Sequence, residues 1–323
     1  MRRLLTFTLL LLGANQTLGA DSPREVLDVR YRSGGGSRHT LDVFVPREKL
    51  SASARRPVVL FVHGGTWMAG DKNFFGMYRG VGRFLARHGV VAVLTNYRLS
   101  PLVRHPEHIK DVAAAYAWCH RNITRYGGDA DNIILAGHSA GAHLVSLLAT
   151  DLTYLKDPAL ELDERARKAI KGVVAVSGVF RIPAPAEFNI MARRTVDHLV
   201  GVSGSNRLAA PLGSALMMVS DRVNPFGIVF GRDRDVQVDA SPIHHIRPGI
   251  PPFLVLNAER EVAGLHDMAD DFVAALKKHR VPVDRHIVDG VTHRTIVKKL
   301  HDDSDEAGKM VLAFVSRLTG KAG

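Results

Sequence analysis

With one cysteine, Cys119, in 323 residues, the chain can close no intrachain disulfide, and its stability must come from packing. That thiol sits in a helical pattern beside Trp118, where a packed, inert side chain is expected. Acidic residues are also short, 32 against 43 Lys and Arg, for a formal charge of +11. Such an excess attracts polyanions, yet no dense basic run with interleaved aromatics exists and only 7% of residues are aromatic, so a nucleic-acid partner is not expected. Metal-ligand spacing is missing too. His244 and His245 are adjacent and cannot face one site from a strand, and His138 with His143 lacks the i, i+4 step of a helical pair. No metal or cofactor is expected. Repeats, low-complexity tracts and interdomain linkers are absent, and no apolar run spans a bilayer comfortably. The 46% hydrophobic content excludes disorder and suffices for a large core.

What is present begins with Met1-Arg2-Arg3, an apolar run Leu4 to Gly13 and small residues ending at Ala20. This is the layout of a secretory leader, so residues 1–20 are expected to be a signal peptide and the mature protein to be secreted or periplasmic, with an uncleaved anchor as the alternative. Removing its two arginines lowers the formal charge from +11 to +9. Residues 21–323 are expected to form one α/β domain. Leu27, Val29 and Tyr31 alternate, Gly34-Gly35-Gly36 turns, and Leu41, Val43 and Val45 alternate again, which reads as an antiparallel hairpin. Apolar runs at Val58 to Val62, Val90 to Leu94, Ile133 to Ala136, Val173 to Val176 and Phe253 to Leu256 read as strands buried on both faces. Helical patterns lie between them, Ile109, Val112, Ala113, Tyr116 and Ile123 in one and Leu265, Met268, Ala269, Phe272 and Leu276 in another. A last helix, with Asp303 and Glu306 spaced as a capping box, runs toward Gly320. This alternation predicts a mostly parallel sheet with helices on both sides. Residues 181–240 break the rhythm with Pro183, Pro185, an apolar segment around Ala209 to Val219 and Asn224-Pro225-Phe226-Gly227; a lid or cap insertion shaping an acyl or aromatic pocket is expected there, with an ordinary pair of packing helices as the alternative.

Chemistry centres on Gly137-His138-Ser139-Ala140-Gly141, which follows the run Asn132 to Ala136 and precedes the apolar stretch Leu144 to Ala149. Strand, sharp turn and helix around GxSxG hold a serine strained and exposed, so Ser139 is a candidate nucleophile. A serine hydroxyl needs a base, an acid to orient that base, and donors for the oxyanion. Upstream, His63-Gly64-Gly65-Thr66-Trp67 ends the strand Val58 to Val62, where the amides of Gly64 and Gly65, with that of Ala140, are candidate oxyanion donors. Trp67 reads equally as part of an aromatic substrate wall or as a packed side chain. Asp111 reads as a structural hydrogen-bonder or helix-dipole partner.

FVHGGTWMAGDK, NYRLSP, GGDADNIILAGHSAGAHL, FGRDRDVQVDASPIHHI and PPFLVLNAE together resemble the α/β-hydrolase superfamily, and within it the secreted carboxylesterase and kynurenine-formamidase-like branch. The resemblance runs from Asp42 to the C-terminal helix and departs at Thr66, where many esterases of the hormone-sensitive-lipase type have a third glycine. It implies the order nucleophile, acid, histidine, with an acid a few residues past the strand Phe253 to Leu256. That selects Glu261, where most relatives have Asp, with Glu259 and Asp267 as rivals. His293, after the candidate strand Val283 to Val288 and a turn at Asp289-Gly290, falls near the family's histidine loop, with His301 and His286 as rivals. The expected activity is hydrolysis of a small-molecule carboxylic ester through an acyl-enzyme on Ser139, with an arylformamidase-type amidase and a non-catalytic binding protein on the same fold as alternatives.

Overall fold

Residues 22–48, 55–191 and 224–320 are described by the computed structural model. The leader at 1–20 and the middle of the 181–240 insertion lie outside the described residues.

The apolar runs fold as strands because each can bury both faces. β3 (Arg56–Val62), β4 (Val91–Thr95), β5 (Gly128–His138), β6 (Ile170–Val176), β7 (Phe253–Arg260) and β8 (Val283–Thr292) join β1 (Arg24–Arg30) and β2 (Thr40–Val45) in one eight-stranded sheet. Its order is β1-β2-β4-β3-β5-β6-β7-β8. β1 and β2 form the expected hairpin, β2 runs antiparallel to β4, and every other pair is parallel. The strand alternation divides the core cleanly. Val58, Leu60, Val62, Ile133, Leu135, Val173 and Val255 face one side with Ile109, Val112, Tyr116, Leu144, Leu147 and Phe272. Val59, Phe61, Ile134, Ala136, Val174 and Leu254 face the other with Tyr78, Val81, Phe84, Val311 and Phe314. At about 1.5–3 kcal/mol per fully buried large apolar side chain, these two layers carry the fold without a disulfide.

The first layer is covered by α2 (Glu107–Asn122), α3 (Ala140–Thr150) and α6 (Leu265–Lys278), the second by α1 (Met77–Arg87) and α7 (Glu306–Thr319). Two boundaries differ from expectation. Asp305, two residues after the expected Asp303, caps α7 by accepting the Ala307 amide; Asp303 instead pairs with Arg87 and His88. The expected turn at Asp289-Gly290 is an irregularity inside β8, which continues to Thr292 through a register shift opposite Ala258 and Arg260.

After β6, residues 185–191 are helical, and beyond the undescribed stretch 192–223 the chain forms α4 (Pro225–Phe230) and α5 (Arg234–Asp239). Asn224 caps α4 through the amides of Phe226 and Gly227, and Pro225 fits the first helical turn, where no amide is needed. α4 packs against Trp67 through Phe226 and Phe230, and Phe188 of the helical stretch 185–191 packs on Phe226. The expected lid falls on the segment between them, outside the described residues.

Candidate active site

β5 ends at His138 and α3 begins at Ala140, leaving Ser139 as the residue on the turn, at φ 54° and ψ −118°. A non-glycine residue held there stores about 1–3 kcal/mol, so the surroundings must enforce it. They do: the Ser139 amide donates to Val176 O at 2.8 Å, and Ser139 O accepts the His143 amide at 3.0 Å. The flanking glycines have a steric origin. A Cβ on Gly137 would lie 2.5 Å from the Gly141 carbonyl, and one on Gly141 would lie 2.1 Å from Val62 O. Only glycine at both ends lets α3 start this close to β3.

Two loops from the edge half of the sheet meet this serine. His293 directly follows β8, its amide donating to Arg260 O at 3.1 Å. Its Nε2 lies 3.0 Å from Ser139 Oγ and its Nδ1 2.7 Å from Glu261 Oε2. Glu261 directly follows β7 with its side chain 1% exposed. Burial by itself would raise its carboxyl pKa, but the hydrogen bond and charge of His293, with the Ser177 hydroxyl and the Ala258 amide, outweigh burial and hold it below the ordinary carboxylate value. Oε1 accepts from the Ser177 hydroxyl, from Ala258 N at 3.0 Å and from Asn257 Nδ2 at 3.4 Å. Oε2 also accepts from Val262 N at 3.2 Å. A carboxylate surrounded only by donors stays ionised and can fix the neighbouring imidazole with its proton on Nδ1.

The rivals lie elsewhere. Glu259 accepts the Gly290 amide at 2.8 Å on the exposed edge, and Asp267 sits in the first turn of α6. His286 is exposed on β8, and the His301 ring lies against Gly80 of α1.

The glycine loop corrects one expectation. The Gly64 amide donates to Tyr78 Oη at 3.0 Å, so it is already engaged and is not free for an oxyanion. Among the described residues the amides of Gly65, Thr66 and Ala140 donate to no protein acceptor. Gly65 at φ 124° and Thr66 at φ 53° both lie in the positive-φ region. Gly65 is forced by space, since a Cβ would fall 2.2 Å from Ala69 O.

Trp67 is packed, 3% exposed, with its ring 5.0 Å from both His143 and Phe230 and 5.9 Å from Phe226. Its indole N–H donates to His143 Nδ1 at 3.3 Å, and His143 Nε2 donates to Ala240 O at 2.7 Å. This row ties the glycine loop to α4 and the nucleophile helix. Asp111 is fully buried and accepts from the Arg98 amide and guanidinium and from Arg32, a structural hub as expected. Cys119 is fully buried, and burial pushes its thiol far above the ordinary value.

Sequence spacing gives no sign of Ser177, the residue after β6 at φ 51° whose hydroxyl donates to Glu261, nor of Tyr78 beside His138. It also misses a meeting of Asp151, Asp239 and His245, whose donor atoms lie within 4.8 Å of one another at the end of α3 remote from Ser139. Local bonds account for that group. Asp151 caps the Thr153 amide at 2.9 Å, and His245 Nε2 donates to Asp239 O at 2.6 Å.

A family model described as BD-FAE matches residues 41–263. Among curated proteins, the chain is 30% identical over 256 residues to Esterase LipC of Mycobacterium tuberculosis, covering 77% of this chain and 54% of that one. It is 32% identical over 251 residues to Esterase LipQ of the same organism, covering 77% and 52%. The chain thus spans about half the length of the curated relatives it matches. A crystal structure of an inhibited Esterase B from Lactobacillus rhamnosis superposes with a TM-score of 0.70 at 20% identity, covering 95% of this chain and 90% of that one.

Proposed function

Since this chain belongs to the BD-FAE family and has the α/β-hydrolase fold, we propose that it is a serine hydrolase that cleaves a carboxylic ester through an acyl-enzyme. The observation that carries the reading is the unbroken line Glu261 Oε2, His293 Nδ1, His293 Nε2, Ser139 Oγ, with steps of 2.7 and 3.0 Å. His293 takes the Ser139 proton as Oγ attacks the ester carbonyl. Glu261 keeps the Nδ1 proton in place and stabilises the imidazolium that forms. The amides of Gly65, Thr66 and Ala140, at the turn and at the first position of α3, receive the developing oxyanion. His293 then protonates the departing alcohol, and water repeats the sequence in reverse to release the acid.

Two observations favour this over a non-catalytic binding protein: the strained Ser139 backbone, and a base and acid in line with it. Ester is preferred to formamide because LipC and LipQ are named as esterases. The leader pattern at residues 1–20 supports export, which sequencing the N-terminus of the secreted product checks. A fluorophosphonate probe should label the protein covalently and should not label Ser139→Ala. Equal labelling of the two would refute the assignment. p-Nitrophenyl esters of graded acyl length should be hydrolysed faster than N-formylkynurenine; the reverse order would transfer the activity to the formamidase class.

A further inference from the structure

The residue preceding the nucleophile is a buried histidine that the acyl-transfer steps do not use. His138 is 4% exposed, with Nδ1 3.0 Å from Tyr78 Oη and Nε2 2.8 Å from the main-chain oxygen of His293. Tyr78 Oη in turn takes the Gly64 amide at 3.0 Å. Donor directions follow from what each group can do. A carbonyl oxygen only accepts, so His138 Nε2 must carry a proton. Burial, followed by the nearby His293, lowers the His138 pKa to about 3, so the ring is neutral and Nδ1 is bare. The Tyr78 hydroxyl, pushed up to about 12 by burial, keeps its proton and donates it to that Nδ1. An oxygen donating this way still accepts the Gly64 N–H. The chain therefore runs in one sense from Gly64 through Tyr78 and His138 to the backbone of His293.

This series joins the glycine loop after β3 and the turn after β5, two paired strands, to the loop after β8, which pairs with β7 instead. Its packing is close at both ends. A Cβ on Gly64 would fall 2.9 Å from His138 Nδ1 and 3.1 Å from Ser139 Cβ, and the His138 and His293 rings lie 5.0 Å apart. By holding the Gly64 amide inward, Tyr78 leaves the following amides to face the reacting carbonyl. By holding the His293 carbonyl, His138 sets the distance from imidazole to serine.

We propose that Tyr78 and His138 are positioning residues, a brace that fixes the oxyanion loop and the base relative to Ser139 without touching substrate. The proposal rests on the Ser139–His293–Glu261 reading. Displacements of about 1 Å in such sites cost up to about 100-fold in rate.

The test uses the full-length protein and a short p-nitrophenyl ester. Tyr78→Phe, which keeps the ring and removes the hydroxyl, should lower kcat about 10- to 100-fold with KM within about threefold. Its pH profile should keep the wild-type acid limb, because the His293 half of the brace is intact. His138→Asn retains an acceptor near Nδ1 but cannot reach the His293 carbonyl, so its acid limb should shift. His138→Gln, restoring a donor at that reach, should bring the limb back. The double variant Tyr78→Phe/His138→Asn should be slowed by less than the product of the two single losses, since both act through one chain. Wild-type kcat in Tyr78→Phe, an unmoved acid limb in His138→Asn, or multiplicative losses that track thermal stability would each overturn the brace. These results differ from a failure of the underlying reading, which would appear as a wild-type protein that no fluorophosphonate labels, and the brace would fall with it.

Discussion

Exchange of Glu261 for Gln is the most informative single change in this site, because it preserves volume while removing the charge and changing which atoms donate. Oε1 of the native carboxylate accepts from the Ser177 hydroxyl, the Ala258 amide and Asn257, and Oε2 accepts from His293 and the Val262 amide. A glutamine must turn its NH₂ to one of these sides. Toward Ala258 it meets an N–H that cannot rotate, at a cost of about 1–3 kcal/mol. Toward His293 it meets the Nδ1 proton, and the imidazole escapes by moving that proton to Nε2, the atom 3.0 Å from Ser139 Oγ. In that tautomer the base cannot accept the serine proton, and the negative charge that would stabilise the imidazolium is gone as well. The combined loss should be about 10⁴-fold in kcat, or about 5.5 kcal/mol of barrier. Glu261→Asp separates charge from reach. It keeps the carboxylate but withdraws it by about one C–C bond, ~1.5 Å, so a smaller loss of about 10- to 100-fold is expected. Steady-state hydrolysis of a p-nitrophenyl ester, with active sites titrated, gives both values. A kcat for Glu261→Gln within tenfold of wild type, or a Glu261→Asp variant slower than Glu261→Gln, would refute the tautomer argument and return the acid's role to Glu259 or Asp267.

Two further outcomes test the scaffold. Burial lowers the pKa of His63, His105 and His108 to about 4 and of His138 and His143 to about 3, against about 6.5 unfolded. The unfolded chain therefore binds more protons than the folded one below pH 6.5, and stability present above that pH falls on acidification by about 1.4 kcal/mol per pH unit for each such histidine. Calorimetric melting should show Tm dropping steeply between pH 6.5 and 4, and a flat Tm between 6.5 and 5 would contradict the neutral buried state. Gly141→Ala should destabilise by about 1–3 kcal/mol, because its Cβ would collide with the Val62 carbonyl 2.1 Å away; urea melts read the loss, and an unchanged midpoint would show that the turn yields more easily than its contacts imply.

Local chemistry explains which parts could be read from the chain. The turn at Ser139 is legible because Gly137 and Gly141 face backbone contacts that no other residue tolerates. The strands are legible because burial on both faces leaves continuous apolar runs, as in Arg56–Val62. The candidate acid and base followed from the order the resemblance implies, and Glu261 and His293 come into line because they stand immediately after the paired strands β7 and β8. What stayed hidden depends on contacts remote in sequence. The Gly64 amide was misread because its acceptor, Tyr78, lies on a helix 14 residues later and is itself oriented by His138. Ser177 carries no motif, and only the β6–β7 pairing brings its hydroxyl to Glu261. The capping residue slipped from Asp303 to Asp305 because several acidic residues precede α7 and the helix start selects among them. Asp289-Gly290 looked like a turn, but β7 extends to Arg260 and pairs with Thr292, carrying β8 past the glycine.

The sheet order has a temporal consequence. Ser139 stands at the end of β5, whereas its two partners arrive on β7 and β8, the last strands in both sequence and space. A chain emerging from its N-terminus can assemble β1 to β6 and bend the serine into its turn before the proposed base, His293, has been made. Reactivity would switch on only when residues 283–292 dock on β7 and carry His293 into place. Under the proposed reading, ester hydrolysis would report the docking of β8 on β7, and the order in which the strands are made would keep Ser139 without its base until then.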